Sequence, residues 1–190
     1  MKTGLLNSRG IITVDNKKVD FIIILFSSLF IGLLAQFSLS LPLNPIPITG
    51  QTIGVVLVGS ILGSKRGVLS ISCYLIQGAF GLPVFAQMKY GIDVLIGPTA
   101  GYLWAFLCSA YIIGVLNEKG YMEKPLSIFI SCLISTLVIL IIGMLYLSTI
   151  KGFSGALLIG FYPFIIGAIT KSLISAMIIF TVKNLDSFYK

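Results

Sequence analysis

The chain has 190 residues, of which 57% are hydrophobic and 10% are charged, and its mean hydropathy is +1.06. A soluble domain of ordinary composition has about 25% charged residues, so the 13 basic and 6 acidic residues are too few to cover a core of this size in water. The composition therefore excludes a soluble globular protein and indicates one solvated by lipid. The net charge of +7 leaves nucleic acid or an acidic partner open until the basic residues are placed.

Two absences limit the chemistry. The sequence has no histidine, which removes the usual general base and the commonest metal ligand. Its cysteines, Cys73, Cys108 and Cys132, lie in apolar stretches without a close pair, as expected of small core residues. The sequence predicts neither a metal site nor a disulfide framework.

Uncharged apolar runs predict an all-α integral membrane protein with six spans. A spanning helix needs about 20 mainly apolar residues, and prolines in the stretch 42–47 end a helix, so the long first run is divided there. The predicted spans are about 21–40, 49–64, 67–82, 98–116, 126–149 and 155–182. The second and third are short, which indicates either tilted helices or connecting loops that reach membrane depth and line a cavity.

Cytoplasmic loops of membrane proteins carry an excess of Lys and Arg. In this arrangement of spans, the basic residues lie mainly on one side of the membrane. The other side holds Lys89 and Lys151. This bias predicts that both termini are cytoplasmic, with tails at 1–20 and 183–190 around a membrane domain at 21–182, and no signal peptide. Ten basic residues would lie at the cytoplasmic surface beside anionic lipid and fix the orientation of the chain. Their placement therefore does not indicate nucleic-acid binding. The ten predicted anchors are Lys2, Arg9, Lys17, Lys18, Lys65, Arg66, Lys119, Lys124, Lys183 and Lys190.

Small residues four positions apart recur in the spans, as at Ser28 and Gly32 in the first. Such a pair lets another helix approach closely, either inside this bundle or on a separate membrane subunit.

The connection between the third and fourth spans is too apolar and aromatic for a solvated loop. It carries Phe85 and Tyr90 and is typical of a lid over a cavity mouth. Its charged residues Lys89 and Asp93 either pair with each other or contribute to a site. Gln51, Gln77 and Gln87 lie near the same outer half and both donate and accept hydrogen bonds.

Lys171 lies inside the last predicted span, twelve residues before Lys183, which is roughly 18 Å from the helix end. An ionisable residue at that depth is costly and indicates a functional site, the alternative being a lysine satisfied by carbonyls and waters. A buried ammonium suits the carboxylate or polarised carbonyl of a ligand in an apolar pocket.

Enzymatic chemistry finds little support in the sequence. The segment Gly59–Arg66 lacks the spacing of a phosphate-binding loop, so no ATPase site is predicted. Without histidine or a pair of acidic residues in the spans, an intramembrane protease or other membrane enzyme is disfavoured.

Three ordered motifs closely resemble the BioY family of biotin transporters, which are substrate-binding S components of energy-coupling factor transporters. The motifs are LPLNPIPITGQT at 41–52, GAFGLPVFA at 78–86 and GPTAGY at 97–102, and the likeness covers about residues 20–182. The resemblance implies a six-helix protein of the prokaryotic cell membrane that binds biotin in an outward-facing pocket. It implies no enzymatic activity and no cofactor beyond the transported biotin. Its partners would be one transmembrane coupling subunit and two ATPase subunits, although some members of the family work without them.

The resemblance also implies residue roles. Near the C-terminus the family pattern is glycine, aspartate, two apolar residues and lysine, with both charged residues tied to biotin binding. Here Lys171 matches the lysine, but Ala168 stands where the aspartate would be. Lys89 matches a basic residue of the family's lid loop, and Ser28 with Gly32 matches the small-residue motif that contacts the coupling subunit.

The absent aspartate matters because the ureido ring of biotin has two N–H donors, and an unpaired buried polar group costs about 1–3 kcal/mol. Its loss either weakens binding, shifts the acceptor role to Gln51, Asn44, Thr170 or Asp93, or indicates another ligand. The leading interpretation is a biotin-uptake protein. The alternatives are an S component for another small anionic vitamin, or a non-transport membrane enzyme or scaffold. The predicted substrate-binding residues are Lys171, Gln51, Lys89, Asp93, Thr99, Tyr102 and Asn44.

Overall fold

The computed structural model describes residues 9, 11–12, 16–42 and 44–188, with the backbone alone for 185–188. The fold is a bundle of α-helices with one short β-hairpin, which confirms the all-α class. Its helices are α1 (Lys17–Gln36), α2 (Gln51–Ala79), α3 (Ile92–Ile96), α4 (Ala100–Glu118), α5 (Pro125–Lys151), α6 (Phe153–Ala156) and α7 (Tyr162–Phe188). A π-helical turn, Leu157–Phe161, joins α6 to α7, and a 3₁₀ turn, Ala86–Met88, precedes α3.

The proline-rich connection between α1 and α2 folds back on itself as a β-hairpin. Strands β1 (Ser38–Leu39) and β2 (Ile48–Thr49) pair antiparallel, and the N–H of Gly50 donates to Phe37 O at 2.9 Å. These bonds pair backbone groups of the connection that no helix satisfies. The hairpin brings the segment before α2 over one end of the bundle.

Helix α2 is a hairpin of two arms, 51–62 and 64–79, that turns at Gly63. Gly63 has φ +81° and ψ 176°, a conformation open to glycine and strained for other residues. A Cβ built on Gly67 would lie 2.9 Å from Gly59 Cα, although eight residues of straight helix span about 12 Å. The side chain of Gln51 likewise bonds to Tyr74, in the other arm. The predicted second and third spans correspond to these two arms.

Five helical stretches in the described part of the chain are long and apolar enough to cross a membrane: Lys17–Gln36, Gln51–Ala79, Ala100–Glu118, Pro125–Lys151 and Phe153–Asn184. The number of crossings and the cytoplasmic placement of both termini stay predictions. The helix bounds differ from the predicted spans at both ends of the bundle: α1 begins at Lys17 and ends at Gln36, and α7 continues to Phe188. The predicted tails and membrane domain stay predictions.

One end of the bundle collects connections that are rich in basic residues. Arg66 forms an ion pair with Asp20, and Lys183 Nζ donates to Asn117 Oδ1 at 2.6 Å. The amide of Asn117 in turn donates to Ser60 O at 2.8 Å. Residues predicted to share a membrane face therefore do lie together. The predicted anchors outside the described residues are Lys2 and Lys190.

The arms of α2 pack tightly on α4 because glycines line the contact. A Cβ on Gly59 would lie 2.7 Å from Ala110 O and 2.8 Å from Ala110 Cα, and a Cβ on Gly114 would collide with the backbone of Ser64. Small residues that admit backbone contact are a principal source of helix association in lipid. This contact holds the first arm of α2 beside α4, where both helices begin at one cavity.

The Gly59→Ala variant is expected to lose about 1–3 kcal/mol of stability, because the added methyl meets backbone that cannot rotate away. Gly167→Ala is the matched control, since a Cβ there meets nothing within 4 Å, and it is expected to be neutral or to stabilise by up to about 1 kcal/mol. Thermal unfolding in detergent micelles measures both. Equal melting temperatures for the two variants would contradict this packing.

Candidate substrate-binding cavity

A cavity of about 90 Å³ lies at the end of the bundle opposite the basic connections. It is several times larger than the roughly 10–15 Å³ that one water requires. The polar residues of its wall are Thr49, Gln51, Thr52, Lys89, Thr99, Tyr102, Thr136 and Lys171. The apolar residues are Ile46, Pro47, Phe85, Ala86, Val94, Leu103, Phe106, Ile139, Leu140, Phe164 and Ala168.

Lys171 is the cationic residue of the wall within the helical bundle. It lies one turn after Ala168 on α7, and both residues line the cavity. No ion pair or hydrogen bond to its ammonium occurs among the described residues, so the alternative of a lysine satisfied by protein carbonyls finds no support. The described wall contains no carboxylate. The ammonium of Lys171 is therefore available to pair with an anion in the cavity.

Two helix N-termini border the same space. Helix α2 begins at Gln51 and α4 at Ala100, and wall residues Thr52 and Thr99 lie in or directly before their first turns. The first N–H groups of a helix have no partner within it and carry a partial positive charge. Together with the lysines, these termini favour a ligand with negative charge.

Gln51 is a buried structural member of the wall. Its Nε2 donates to the hydroxyl of Tyr74, and its Oε1 accepts from Thr49 Oγ1 at 3.0 Å. Only 5% of the residue is exposed. Each end of the amide therefore has a partner in the protein, and the bond to Tyr74 joins the two arms of α2.

Tyr102 ties α4 to the irregular start of the last helix. Its hydroxyl donates to Gly160 O at 2.7 Å, within the π-helical turn, where a carbonyl is free of the regular helical pattern. Its ring lies against Gly143, where any Cβ would collide with it. The aromatic wall thus depends on a glycine in α5 and on the π turn.

The connection between α2 and α4 folds over the cavity, and Gln36 at the end of α1 holds it. Gln36 Nε2 donates to Phe85 O at 3.2 Å, and its Oε1 accepts from the N–H of Met88 at 3.0 Å. Gln87 and Met88 have φ of 62° and 57°, a conformation that costs energy in residues with a side chain. A single amide bonded on both sides of this strained turn fixes its shape.

The two aromatic residues of the predicted lid have different positions. Phe85 is 1% exposed; its ring meets Tyr74 edge to face at 5.5 Å between centroids and covers Gly78. Tyr90 is exposed and is not part of the wall. The lid therefore presents one aromatic ring to the cavity.

Of the seven residues predicted to bind substrate, the fold brings five to one wall: Lys171, Gln51, Lys89, Thr99 and Tyr102. Their contact with a ligand stays a prediction.

The fold does not bring Asn44 or Asp93 to the cavity wall. The amide of Asn44 donates to Ile159 O at 2.7 Å and accepts from Ile46 N at 2.9 Å, so it stabilises the proline-rich turn. Asp93 is exposed on α3. Its proposed pairing with Lys89 does not occur among the described residues.

Ser28 and Gly32 face the interior of the chain. Ser28 is fully buried and accepts a hydrogen bond from Gln77 at 3.0 Å, and a Cβ on Gly32 would lie 3.1 Å from Val84 Cβ. Packing within the bundle accounts for both. Contact with a separate subunit at these positions stays a prediction, and the face of α1 that the chain leaves uncovered carries Phe26, Leu29 and Leu33.

Sequence reasoning did not select Thr52, Thr136 or Gln36. Thr52 follows Gln51 within a quoted motif, so its position was available as a signal. Thr136 lies in a long apolar helix where threonine is ordinary, because its hydroxyl can bond to its own helix backbone. Gln36 acts on a segment 47 to 52 residues away in sequence, a distance at which no local pattern indicates contact.

Comparisons with known proteins agree with this geometry. A family model described as the BioY family matches residues 9–187. The biotin transporter BioY of Thermotoga maritima is 36% identical over 150 residues, covering 78% of this chain and 87% of that protein. The probable biotin transporter BioY of Pyrococcus horikoshii is 36% identical over 162 residues, covering 85% and 93%.

A solved structure has the same fold. The 2.1 Å crystal structure of the S-component for biotin from an ECF-type ABC transporter superposes with a TM-score of 0.80 at 25% identity, covering 92% of this chain and 95% of that one.

Gln36→Leu is expected to loosen the turn over the cavity, because the N–H of Met88 loses its acceptor. Amide hydrogen exchange across 83–89 should become faster by about tenfold, the equivalent of one hydrogen bond. Gln77→Leu is the matched control, since its amide reaches α1 at Ser28 and not the turn. Unchanged exchange in the Gln36 variant would contradict the clamp.

Proposed function

The chain belongs to the BioY family, and from that premise we propose that it is a biotin transporter: the S component that binds biotin and carries it across the cell membrane. It is a transport protein and not an enzyme. Supporting this, the family model covers residues 9–187, and relatives that match most of its length are named biotin transporters.

The observation that carries the proposal is the uncommitted ammonium of Lys171 in a cavity wall without carboxylates. Biotin is a monocarboxylate at neutral pH. Its charged end would pair with Lys171, and the N-termini of α2 and α4 would add favourable field. Lys89 at the exposed edge of the same wall would assist the entry of an anion.

The remaining wall suits the rest of the ligand. Phe85, Phe106 and Phe164 surround the space with aromatic surface, and the sulfur ring of biotin is apolar. Small-molecule sites are mostly apolar with a few placed polar groups, and this wall has that composition.

The energy source would come from other subunits. The sequence lacks a phosphate-binding loop, and the similar solved structure is an S component of an ECF-type transporter. We therefore place this chain with a transmembrane coupling subunit and two ATPases, with transport by the chain alone as the other case. The cavity lies away from the basic end, so the positive-inside rule directs it outward.

A second candidate is an S component for another small anionic vitamin. Ala168 favours it, because the residue lines the cavity at the position where the family pattern has an acidic partner for biotin. The positive wall would accept another carboxylate equally well.

Uptake of radiolabelled biotin distinguishes the two candidates. A biotin-auxotrophic host that lacks its own transporter would express this chain alone or with a coupling module of the same organism. Biotin-dependent uptake in either background is expected. Absence of uptake in both, together with absent biotin binding by the purified chain, would favour the other vitamin.

Lys171→Met is expected to weaken biotin binding at least about 30-fold, because truncating one partner of a buried charge pair costs about 2–5 kcal/mol. Lys151→Met is the matched control, a lysine near the cavity end of the bundle that is exposed and outside the wall. Calorimetry with purified protein measures both affinities. An affinity of the Lys171 variant equal to that of the control would contradict the proposed pairing.

A further inference from the structure

The ureido group of biotin poses a problem that the wall must solve, given the proposed function. Each ureido N–H loses a water partner on burial, and a buried donor without an acceptor weakens binding. Ala168 supplies no acceptor, and the described wall contains no carboxylate. The partner must be a neutral oxygen of the wall.

The amide side chains are less suited to this need than a hydroxyl with no bond to the protein. Gln51 is bonded at both ends, to Tyr74 and Thr49. Asn44 is bonded to Ile159 and Ile46 and lies outside the wall. At either amide a ligand would share an atom that already bonds to the protein.

Two other residues named from the sequence do not line the cavity. Thr170 is exposed, and its hydroxyl donates to the carbonyls of its own helix, at Ile166 and Gly167. Asp93 is exposed on α3 and is not part of the wall.

Thr52 has the required properties. It lines the cavity from the first turn of α2, and its Oγ1 is buried without a hydrogen-bond partner among the described residues. Buried polar atoms in native proteins are nearly always bonded, so a hydroxyl that has no protein partner and also lines a cavity is suited to bond a molecule in that cavity.

The other threonine hydroxyls of the wall are less suited. Thr49 donates to Gln51, and Thr136 donates to Cys132 O and accepts from Ser172. Thr99 has no side-chain capping bond, and its Oγ1 is not among the buried unpaired atoms, so burial does not require a partner for it. The hydroxyl of Thr52 gains most from a bond to the ligand, because it is buried and has no partner among the described residues.

We propose that the Thr52 hydroxyl is the hydrogen-bond partner of the ligand's ureido group in this chain. A hydroxyl both donates and accepts, so Thr52 accepts from a ureido N–H or donates to the ureido carbonyl. It takes the role that the resemblance assigns to the family aspartate, without bringing negative charge near Lys171.

Biotin and desthiobiotin, which share the ureido group and the carboxylate, are the probes for the test. Calorimetry would compare the wild type with Thr52→Val, Thr52→Ser and the matched control Thr170→Val. Thr52→Val is expected to weaken both ligands about tenfold or more, since a buried ureido group is left unpaired. Thr52→Ser and Thr170→Val should bind as the wild type does.

The melting temperature of the ligand-free protein separates binding from folding. Thr52→Val should keep or raise it, because a methyl replaces an unpaired buried hydroxyl. Wild-type affinity in Thr52→Val would overturn the assignment, as would equal losses in the valine and serine variants. Loss in Thr170→Val with none in Thr52→Val would move the role to Thr170. A wild type that binds neither probe would instead contradict the proposed function.

Discussion

The structure depends on the constraint that a polar group away from water must find a partner inside the protein. Most of the described polar side chains in the bundle obey it: Asn44 serves the proline-rich turn, Gln51 joins the arms of α2, and Gln36 serves the turn over the cavity. Among the described polar groups of the cavity wall, the ammonium of Lys171 and the hydroxyl of Thr52 have no partner within the protein. Within this fold, the binding chemistry is therefore read from the groups that the fold itself does not use.

The same constraint explains why so few residues define the site. In the proposed site, the hydroxyl, the ammonium and the two helix termini act among mostly apolar side chains, where polar interactions are stronger than in water. Gly59 and Gly63 contribute without touching the cavity. One admits α4 and the other turns α2, and together they place the first turn of α2 beside that of α4.

The sequence was sufficient for the fold class, for five of the wall residues and for the division of α2, because charge and proline interrupt apolar runs where helices end. The position of Lys171 in the cavity wall could be predicted, because a charge inside a membrane span is costly in any fold and indicates a functional site. The turn at Gly63 could not, because one glycine among 20 carries no mark of positive φ. Asn44 was assigned to the ligand because a polar side chain near a motif resembles a binding residue, whereas carboxamides beside proline turns commonly bond to local backbone. Thr52 was overlooked for the opposite reason, since a helical threonine usually bonds to its own helix.

The absence of a carboxylate from the described wall has an electrical consequence. Apart from Lys89 at its exposed edge, the empty wall with protonated Lys171 carries one positive charge, and a monocarboxylate beside Lys171 cancels that charge. Moving one elementary charge through the membrane potential involves about 2.3 kcal/mol per 100 mV. Any rearrangement that carries the part of the site around Lys171 across the field would then depend less on voltage when loaded than when empty. In a carrier built this way, the membrane potential acts mainly on the return of the empty site and less on the movement of the loaded site.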